Sequence, residues 1–383
     1  MRIALFGGAE YPIPPPPTGI YAPLTIVSQL ADGLCERGHD VTLFAPRGSK
    51  SKAKIVDLNM EPLDNLRRKN HEPYELKTLV AYEQIMTAKI YNEARRGSFD
   101  VIHSHSALRT LPYAPMADVP TILTMHTPVK KTYSFAYEAA SKRFKYYAVS
   151  ISRAQMKQSF GVSWAGTVYN GLELAHFPFA KKSSEGMLWI GRIHPDKGTK
   201  DAITIAKKMR KHLALIGATM PEVPASLEYW EKIKKEIRGE DIKHYGMIPH
   251  REVSQNYQIA KVMFFPIHWE EPFGLVMIEA MACGTPVVAY ARGSVPEIIE
   301  DGKTGYIVNA SEKDIRGRFT VKKTGLRGFE EAVRMIYEMS PAEYGKMRMA
   351  CREHVVKKFT VEKMVEGYEQ LYKKVLFDYK KVK

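Results

Sequence analysis

A run of apolar residues, Val262-Met263-Phe264-Phe265, ends at Pro266, and a second run, Val287 to Tyr290, follows Gly284 and Pro286. Between them a helix is read whose first position is Gly274, and Gly284 with Pro286 stops it. Strand, turn, helix, turn and strand in so short a span make the βαβ unit of a parallel sheet. Two carboxylates mark it, Glu271 in the turn and Glu279 on the helix. Val276, Met277, Ile278 and Ala280 surround Glu279, where a bare charge is costly. A helix beginning at Gly274 would aim the amides of Gly274 and Leu275 outward, ready for a phosphate. The unit reads as one phosphate cradle with a hydroxyl-binding carboxylate on either side. By spacing alone, Glu-x7-Glu is equally an incidental pair, one residue on a wet helix face and one in a loop.

The same alternation runs through the chain. Its 383 residues exceed one ordinary core, so two domains are expected, 1–179 and 186–358, with a terminal helix over 359–383. Arg2 to Phe6 is a strand leading into Gly7-Gly8, the first turn of a Rossmann-like half. A helix follows from Pro23 on the Leu24, Val27, Leu30 and Leu34 face, then a strand over Asp40 to Ala45. Ala81 to Arg95 is helical, and Phe99 to His105 is a buried strand ending in His103-Ser104-His105. That histidine pair reads as structural or acceptor-facing rather than metal-binding. Thr121 to Met125 places His126 at a strand's carboxyl end, where ligands of open α/β sheets gather. Tyr147 to Ser150 and Thr167 to Gly171 are further short strands, and Phe177 to Glu185 has a linker's composition. The second half restarts with the strand Gly186 to Ile190 and the loop Gly191-Arg192-Ile193-His194-Pro195-Asp196-Lys197-Gly198. Arg192 offers a fork of donors and Lys197 a flexible point charge, together able to clamp a pyrophosphate. As a loop cation, Lys197 is expected to matter little for stability. A strand at His212 to Gly217, a helix at Tyr229 to Arg238 and a short strand with a turn over Ile242 to Pro249 follow, and helices at Gly328 to Met339, Ala342 to Lys358 and Val361 to Tyr379 complete the pattern.

A net charge of +15 calls for an anionic partner: nucleotide phosphates, an acidic acceptor, a membrane surface or nucleic acid. The basic residues are spread along the chain and no nucleic-acid module is visible, which argues against nucleic acid. Gly7-Gly8 continues as Ala9-Glu10-Tyr11-Pro12, so the dinucleotide fingerprint of an oxidoreductase is absent. Cys35, Cys283 and Cys351 lack metal-ligand spacing and read as reduced thiols of a cytoplasmic protein. Lys130, Lys131, Lys142, Arg143 and Lys145 interleave with Tyr133, Phe135, Tyr137, Phe144, Tyr146 and Tyr147. That pattern fits a solvated helix face with aromatics in the core, or else an anionic acceptor or peripheral contact at the inner membrane face.

Glu271-Pro272-Phe273-Gly274-Leu275, Glu279-Ala280-Met281-Ala282, Gly284-Thr285-Pro286 and Gly293-Ser294-Val295-Pro296-Glu297 together resemble the Glu-x7-Glu signature of family 4 glycosyltransferases. Arg37-Gly38-His39-Asp40, Thr124-Met125-His126-Thr127, Gly191-Arg192 and Lys197-Gly198 are similar to further phrases of that family. The resemblance implies a GT-B fold, two Rossmann-like domains facing across a cleft, with a C-terminal helix returning to the first. It implies retaining transfer of a sugar from a nucleoside-diphosphate sugar to a hydroxyl of a carbohydrate or lipid-linked acceptor. A sugar-nucleotide epimerase or phosphorylase of the same architecture is the alternative. Carried over by motif, Glu279 would hold the ribose and Glu271 a sugar hydroxyl. Arg192, Lys197, Gly274 and Leu275 would take the leaving diphosphate, and His126 would position the reacting sugar or the acceptor. Gly19, Gly217, Ile248 and Phe273 would line the donor site. Relatives carry Gly-Gly before the first helix, where this chain has Tyr21-Ala22 with Gly19 just upstream. No Asp-x-Asp motif stands in the right setting, so no metal or other cofactor is expected.

Overall fold

A computed structural model of the chain describes residues 1–16, 21–70, 76–157, 161–220, 223–237 and 241–381. Its strands are short, and the central ones are apolar and buried on both faces, as where helices cover both sides of a parallel sheet. The first sheet consists of β1 (Arg2–Phe6), β2 (Asp40–Phe44), β3 (Lys54–Val56), β4 (Val101–Ser104), β5 (Thr121–Met125), β6 (Tyr147–Ser150) and β7 (Trp164–Thr167). They are all parallel, in the order β3-β2-β1-β4-β5-β6-β7. Ile3 stands opposite Val41 on one side and Val101 on the other. The order reverses between β1 and β4, so the loops after them diverge and leave a crevice at their carboxyl ends.

The helix Val361–Lys380 closes this first unit, which gathers most of Met1 through Gly171 and then resumes at Val361. The Glu369 carboxylate accepts from Arg37 Nε at 2.6 Å and pairs with His39 Nε2 at 2.7 Å. Tyr368 and Tyr372, both fully buried, reach Thr124 Oγ1 at 2.9 Å and His103 Nδ1 at 2.7 Å. A helix amphipathic in sequence thus carries polar tips into the sheet's carboxyl end as well as an apolar face.

The second unit, Leu172 to Thr360, repeats the arrangement. Its strands are β8 (Met187–Ile190), β9 (Leu213–Ile216), β10 (Ile242–His244), β11 (Val262–Phe265), β12 (Val287–Tyr290) and β13 (Gly305–Val308). They are parallel in the order β10-β9-β8-β11-β12-β13, with the reversal between β8 and β11. The stretch Phe177 to Glu185, whose composition is a linker's, is bound to this unit. Phe177 is buried, and Arg348 Nη2 and Nε donate to Ala180 O at 2.8 and 3.0 Å. Arg348 is itself fully buried and also donates to Gln258 O and Cys283 O, at the ends of the helices His250–Ile259 and Leu275–Ala282. Helix carboxyl ends carry partial negative charge, which replaces a carboxylate as the guanidinium's counter-charge. Composition alone marked the stretch as a linker because this anchor lies far along the chain.

Boundaries differ in a few places. Trp164–Thr167 forms β7, ahead of the strand expected from Thr167, because Tyr169 onward turns toward Leu172 and pairs with Thr360. The helix expected from Tyr229 begins at Pro224, whose ring suits a first helical turn. Among the described residues no helix is long and apolar enough to cross a membrane.

Candidate active site

In the second unit the site is assembled at the carboxyl ends of β8 and β11. After β8 the chain runs through Arg192 into a single 3₁₀ turn, Pro195–Lys197. Gly198 follows with φ of 67°, and a Cβ there would stand 1.8 Å from Pro266 O, so only glycine lets this loop lie against the end of β11. Buried Trp189 donates Nε1 to Lys197 O at 3.1 Å and holds the loop from below. Lys197 Nζ then reaches Glu271 Oε2 at 2.8 Å, with side-chain exposures of 16% and 11%. Trp269 Nε1 donates to the same oxygen at 3.0 Å, and its ring lies under Lys197 Nζ at 4.5 Å from the centroid. Two donors converge on Oε2, and among the described residues none reaches Oε1.

The backbone of Glu271 is equally constrained. Ser294 N donates to Glu271 O at 2.9 Å, and Ser294 Oγ to Phe273 O at 2.7 Å. Gly293, φ 52°, presses so closely that a Cβ would meet Glu271 O at 2.1 Å. Beside it, Glu270 accepts from Gly293 N at 2.7 Å and pairs with Arg316 at 2.6 Å. Gly274 is not the first helical residue but the residue before it, left-handed with φ of 80°, and the helix starts at Leu275. The first amides of such a helix have no intrahelical acceptor and point out of its amino end. One turn on, Glu279 is buried and accepts from Tyr257 OH at 2.7 Å. Burial, with the carboxylate beside it, pushes the Tyr257 hydroxyl well above its ordinary pKa, so it stays a donor.

Arg192 is exposed and donates Nη1 to Met220 Sδ at 3.1 Å, with no carboxylate partner among the described residues. Gly217 N donates to Gly246 O at 2.8 Å and Gly217 O accepts from His244 Nε2 at 2.7 Å, so both its backbone groups are engaged in joining β9 to β10. Ile248 is half-buried in the turn beyond β10, and Phe273 is buried beneath the turn before the helix. Gly19 lies outside the described residues. Tyr21 immediately precedes the first helix and packs against Tyr11, the rings tilted by 39° with centroids 4.1 Å apart. Trp269 and Tyr257 were missed in the sequence. Trp269 stands two residues before Glu271 in a polar turn, which is a readable signal, whereas Tyr257 sits in an ordinary amphipathic helix.

In the first unit, His126 follows β5. Its Nε2 lies 2.7 Å from His105 Nδ1, and the two rings are stacked. His103, fully buried, pairs with Tyr372 OH and, at 2.8 Å, with Thr124 Oγ1. Burial holds His103 down to about 3 and His126 to about 4, and His105 also well below the ordinary range. All three are therefore neutral at pH 7. Glu83, buried near the end of β1, receives Arg109 Nη1 at 2.7 Å and also Ser106 Oγ. The basic-aromatic stretch divides: Tyr137, Tyr146 and Tyr147 are buried, while Tyr133 and Phe135 are exposed at 47% and 64% among Lys130, Lys131, Lys142 and Arg143.

Residues 25–176 match the family described as Glycosyltransferase Family 4, and residues 175–316 match Glycosyl transferases group 1. The chain belongs to the family 4 glycosyltransferases, enzymes with the GT-B fold. It is similar, at 30% identity over 50% of this chain and 47% of the relative, to an uncharacterized 41.2 kDa protein in the cps region of Klebsiella pneumoniae. Among solved structures, sucrose-phosphate synthase from Thermosynechococcus elongatus superposes with a TM-score of 0.74 at 18% identity, covering 99% of this chain and 100% of the other. HepE from Anabaena, solved with UDP-glucose, gives 0.67 at 16%, covering 97% and 98%. At these identities the structural likeness establishes the fold.

Two predictions follow from the packing. Lys197 is a partner of a nearly enclosed carboxylate, which corrects the expectation that it matters little for stability. Lys197→Ala destabilises the protein by about 2 kcal/mol, short of the roughly 3–5 kcal/mol of a fully buried pair. Adding Glu271→Gln recovers part of that in urea unfolding; an unchanged midpoint for Lys197→Ala would remove the pair from the stability account. For His103, the unfolded chain takes up a proton below the ordinary pKa of 6.5, while the folded chain does not until about 3. Stability is thus held above pH 6.5 and lost as pH falls toward 3, at up to about 1.4 kcal/mol per pH unit for this group. His103→Gln, which can keep both hydrogen bonds, lowers that slope by about one proton. An equal slope in both proteins contradicts the assignment.

Proposed function

We propose that the chain transfers a sugar from a nucleoside-diphosphate sugar to an acceptor hydroxyl with retention of anomeric configuration. The observation that carries this is the convergence of Lys197, Glu271 and the amino end of the helix Leu275–Ala282 at the carboxyl end of β11. Glu271, with Oε2 occupied by two donors, offers Oε1 to a sugar hydroxyl. Glu279, oriented by Tyr257, holds the ribose. The exposed guanidinium of Arg192, the Lys197 ammonium and the amides at Gly274 and Leu275 meet the charge that develops on the leaving diphosphate. Preorganised charge of this kind lowers the barrier without covalent chemistry by the protein. Gly217 shapes the floor of the site through its close packing on Gly191, and Ile248 and Phe273 line it. His126 positions the sugar or the acceptor, and the departing phosphate, rather than an assigned protein base, takes the acceptor's proton. Family membership and HepE's complex with UDP-glucose support a nucleotide sugar as donor.

The reading includes independence from divalent metal, since fixed cations meet the diphosphate. Transfer persists in excess chelator on this account; complete loss, restored by Mg²⁺ or Mn²⁺, contradicts it. Lys197→Ala, assayed where it is folded, cuts turnover roughly 10²–10³-fold, the scale of losing one charge-stabilising donor. A folded variant with near-normal turnover sinks the clamp. The donor itself is found by screening nucleoside diphosphates and their sugars for thermal stabilisation, because specific binding raises stability by mass action.

A second reading concerns the acceptor. Exposed Tyr133 and Phe135 among four cations favour a lipid-linked acceptor met at an anionic bilayer, each cation contributing about 1 kcal/mol near the surface. The protein then sediments with anionic and not with neutral vesicles at low salt, and Lys130→Glu with Lys131→Glu abolishes sedimentation. Protein left in the supernatant with both vesicle types makes the acceptor a soluble carbohydrate.

A further inference from the structure

His105 lies between two histidines. Its ring is 4.4 Å from that of His103 and 5.0 Å from that of His126. Only its Nδ1 has a hydrogen-bond partner, His126 Nε2 at 2.7 Å, while Nε2 is buried with none among the described residues. A 2.7 Å contact between two neutral imidazoles contains one proton, so one ring donates and the other accepts.

The orphaned nitrogen decides which ring donates. Were His105 protonated on Nε2, a buried N–H would be left without an acceptor, a penalty of about 1–3 kcal/mol. Protonated on Nδ1, it leaves only an unused lone pair, and buried acceptors go unsatisfied more readily than buried donors. A second proton on either ring is opposed by the enclosure of the cluster. His105 therefore donates Nδ1–H to His126 Nε2, and His126, accepting there, carries its own proton on Nδ1.

We propose that His105 is a positioning residue that locks His126 in the Nδ1–H tautomer, so that the half-buried His126 presents a hydrogen-bond donor to an oxygen of the sugar or acceptor. This rests on the placement of His126 in the site, and it adds what that ring offers. His103 completes the arrangement from the other side: Tyr372, Thr124 and Tyr368 form one chain of hydrogen bonds with it and keep the neighbouring ring in place.

The test is the tautomer itself, read from two-bond proton–nitrogen correlations of the full-length protein labelled with ¹⁵N-histidine at pH 7.5. His126 is assigned by its disappearance in His126→Gln. The expected wild-type spectrum has the Nδ1–H pattern for His126. His105→Phe, which keeps a ring but no donor, loses that pattern in favour of the Nε2–H form. His105→Asn, whose amide nitrogen can occupy the position of Nδ1, restores it. An Nε2–H pattern for His126 in the wild type, or an unchanged Nδ1–H pattern in a folded His105→Phe, overturns the proposal. A full transfer rate in His126→Ala is a different failure: it removes His126 from the site and with it the purpose of the lock, whatever the spectrum shows.

Discussion

An ammonium 2.8 Å from a nearly enclosed carboxylate, with one indole beneath the cation and donating to the same oxygen, is the contact around which the second unit is arranged. Such a pair is tolerated away from water only when both partners are held in place. The surroundings supply that. Gly198 lets the lysine's loop rest on the end of β11, and Trp189 supports it. Gly293 and Ser294 clamp the backbone of Glu271 from the next loop, and buried Arg348 ties down the far end of the helix that carries Glu279. The reversal of strand order between β8 and β11 places the lysine and the carboxylate on neighbouring loops.

Much of this was legible in the sequence because parallel sheets write a strong signal. Buried strands such as Val262 to Phe265 and Val287 to Tyr290 are continuous apolar runs, and Gly284 and Pro286 punctuate them. Arg192, Lys197, Glu271 and Glu279 stood out by their resemblance to family phrases, since spacing alone left Glu271 and Glu279 equally an incidental pair. Boundaries were harder. Gly274 was read as helical, but its left-handed φ makes it the residue before the helix, a distinction that spacing does not encode.

What could not be read was long-range pairing. Tyr257 reaches Glu279, and Tyr368 and Tyr372 reach Thr124 and His103, across separations at which helical periodicity only says that a residue is buried. The Phe177 to Glu185 stretch failed for the same reason, its anchor being Arg348. His105 shows a subtler limit. The His-x-His at the end of β4 was visible, and alternation along a strand put both rings on one face. Its consequence depends on which nitrogen meets His126 and which is left unpaired, and no sequence pattern carries that.

The central claim, that a leaving diphosphate is held by Arg192, Lys197 and the amino end of the helix from Leu275, is tested most directly by calorimetry. Each nucleoside diphosphate is titrated beside its own nucleoside, with the wild type and with Arg192→Ala. One pair is expected to differ by at least about 100-fold in Kd in favour of the diphosphate, since two charge-assisted contacts together exceed the roughly 2.7 kcal/mol required. The gap narrows in Arg192→Ala. If no diphosphate binds more tightly than its nucleoside, or the gap survives loss of the guanidinium unchanged, the diphosphate is not held there.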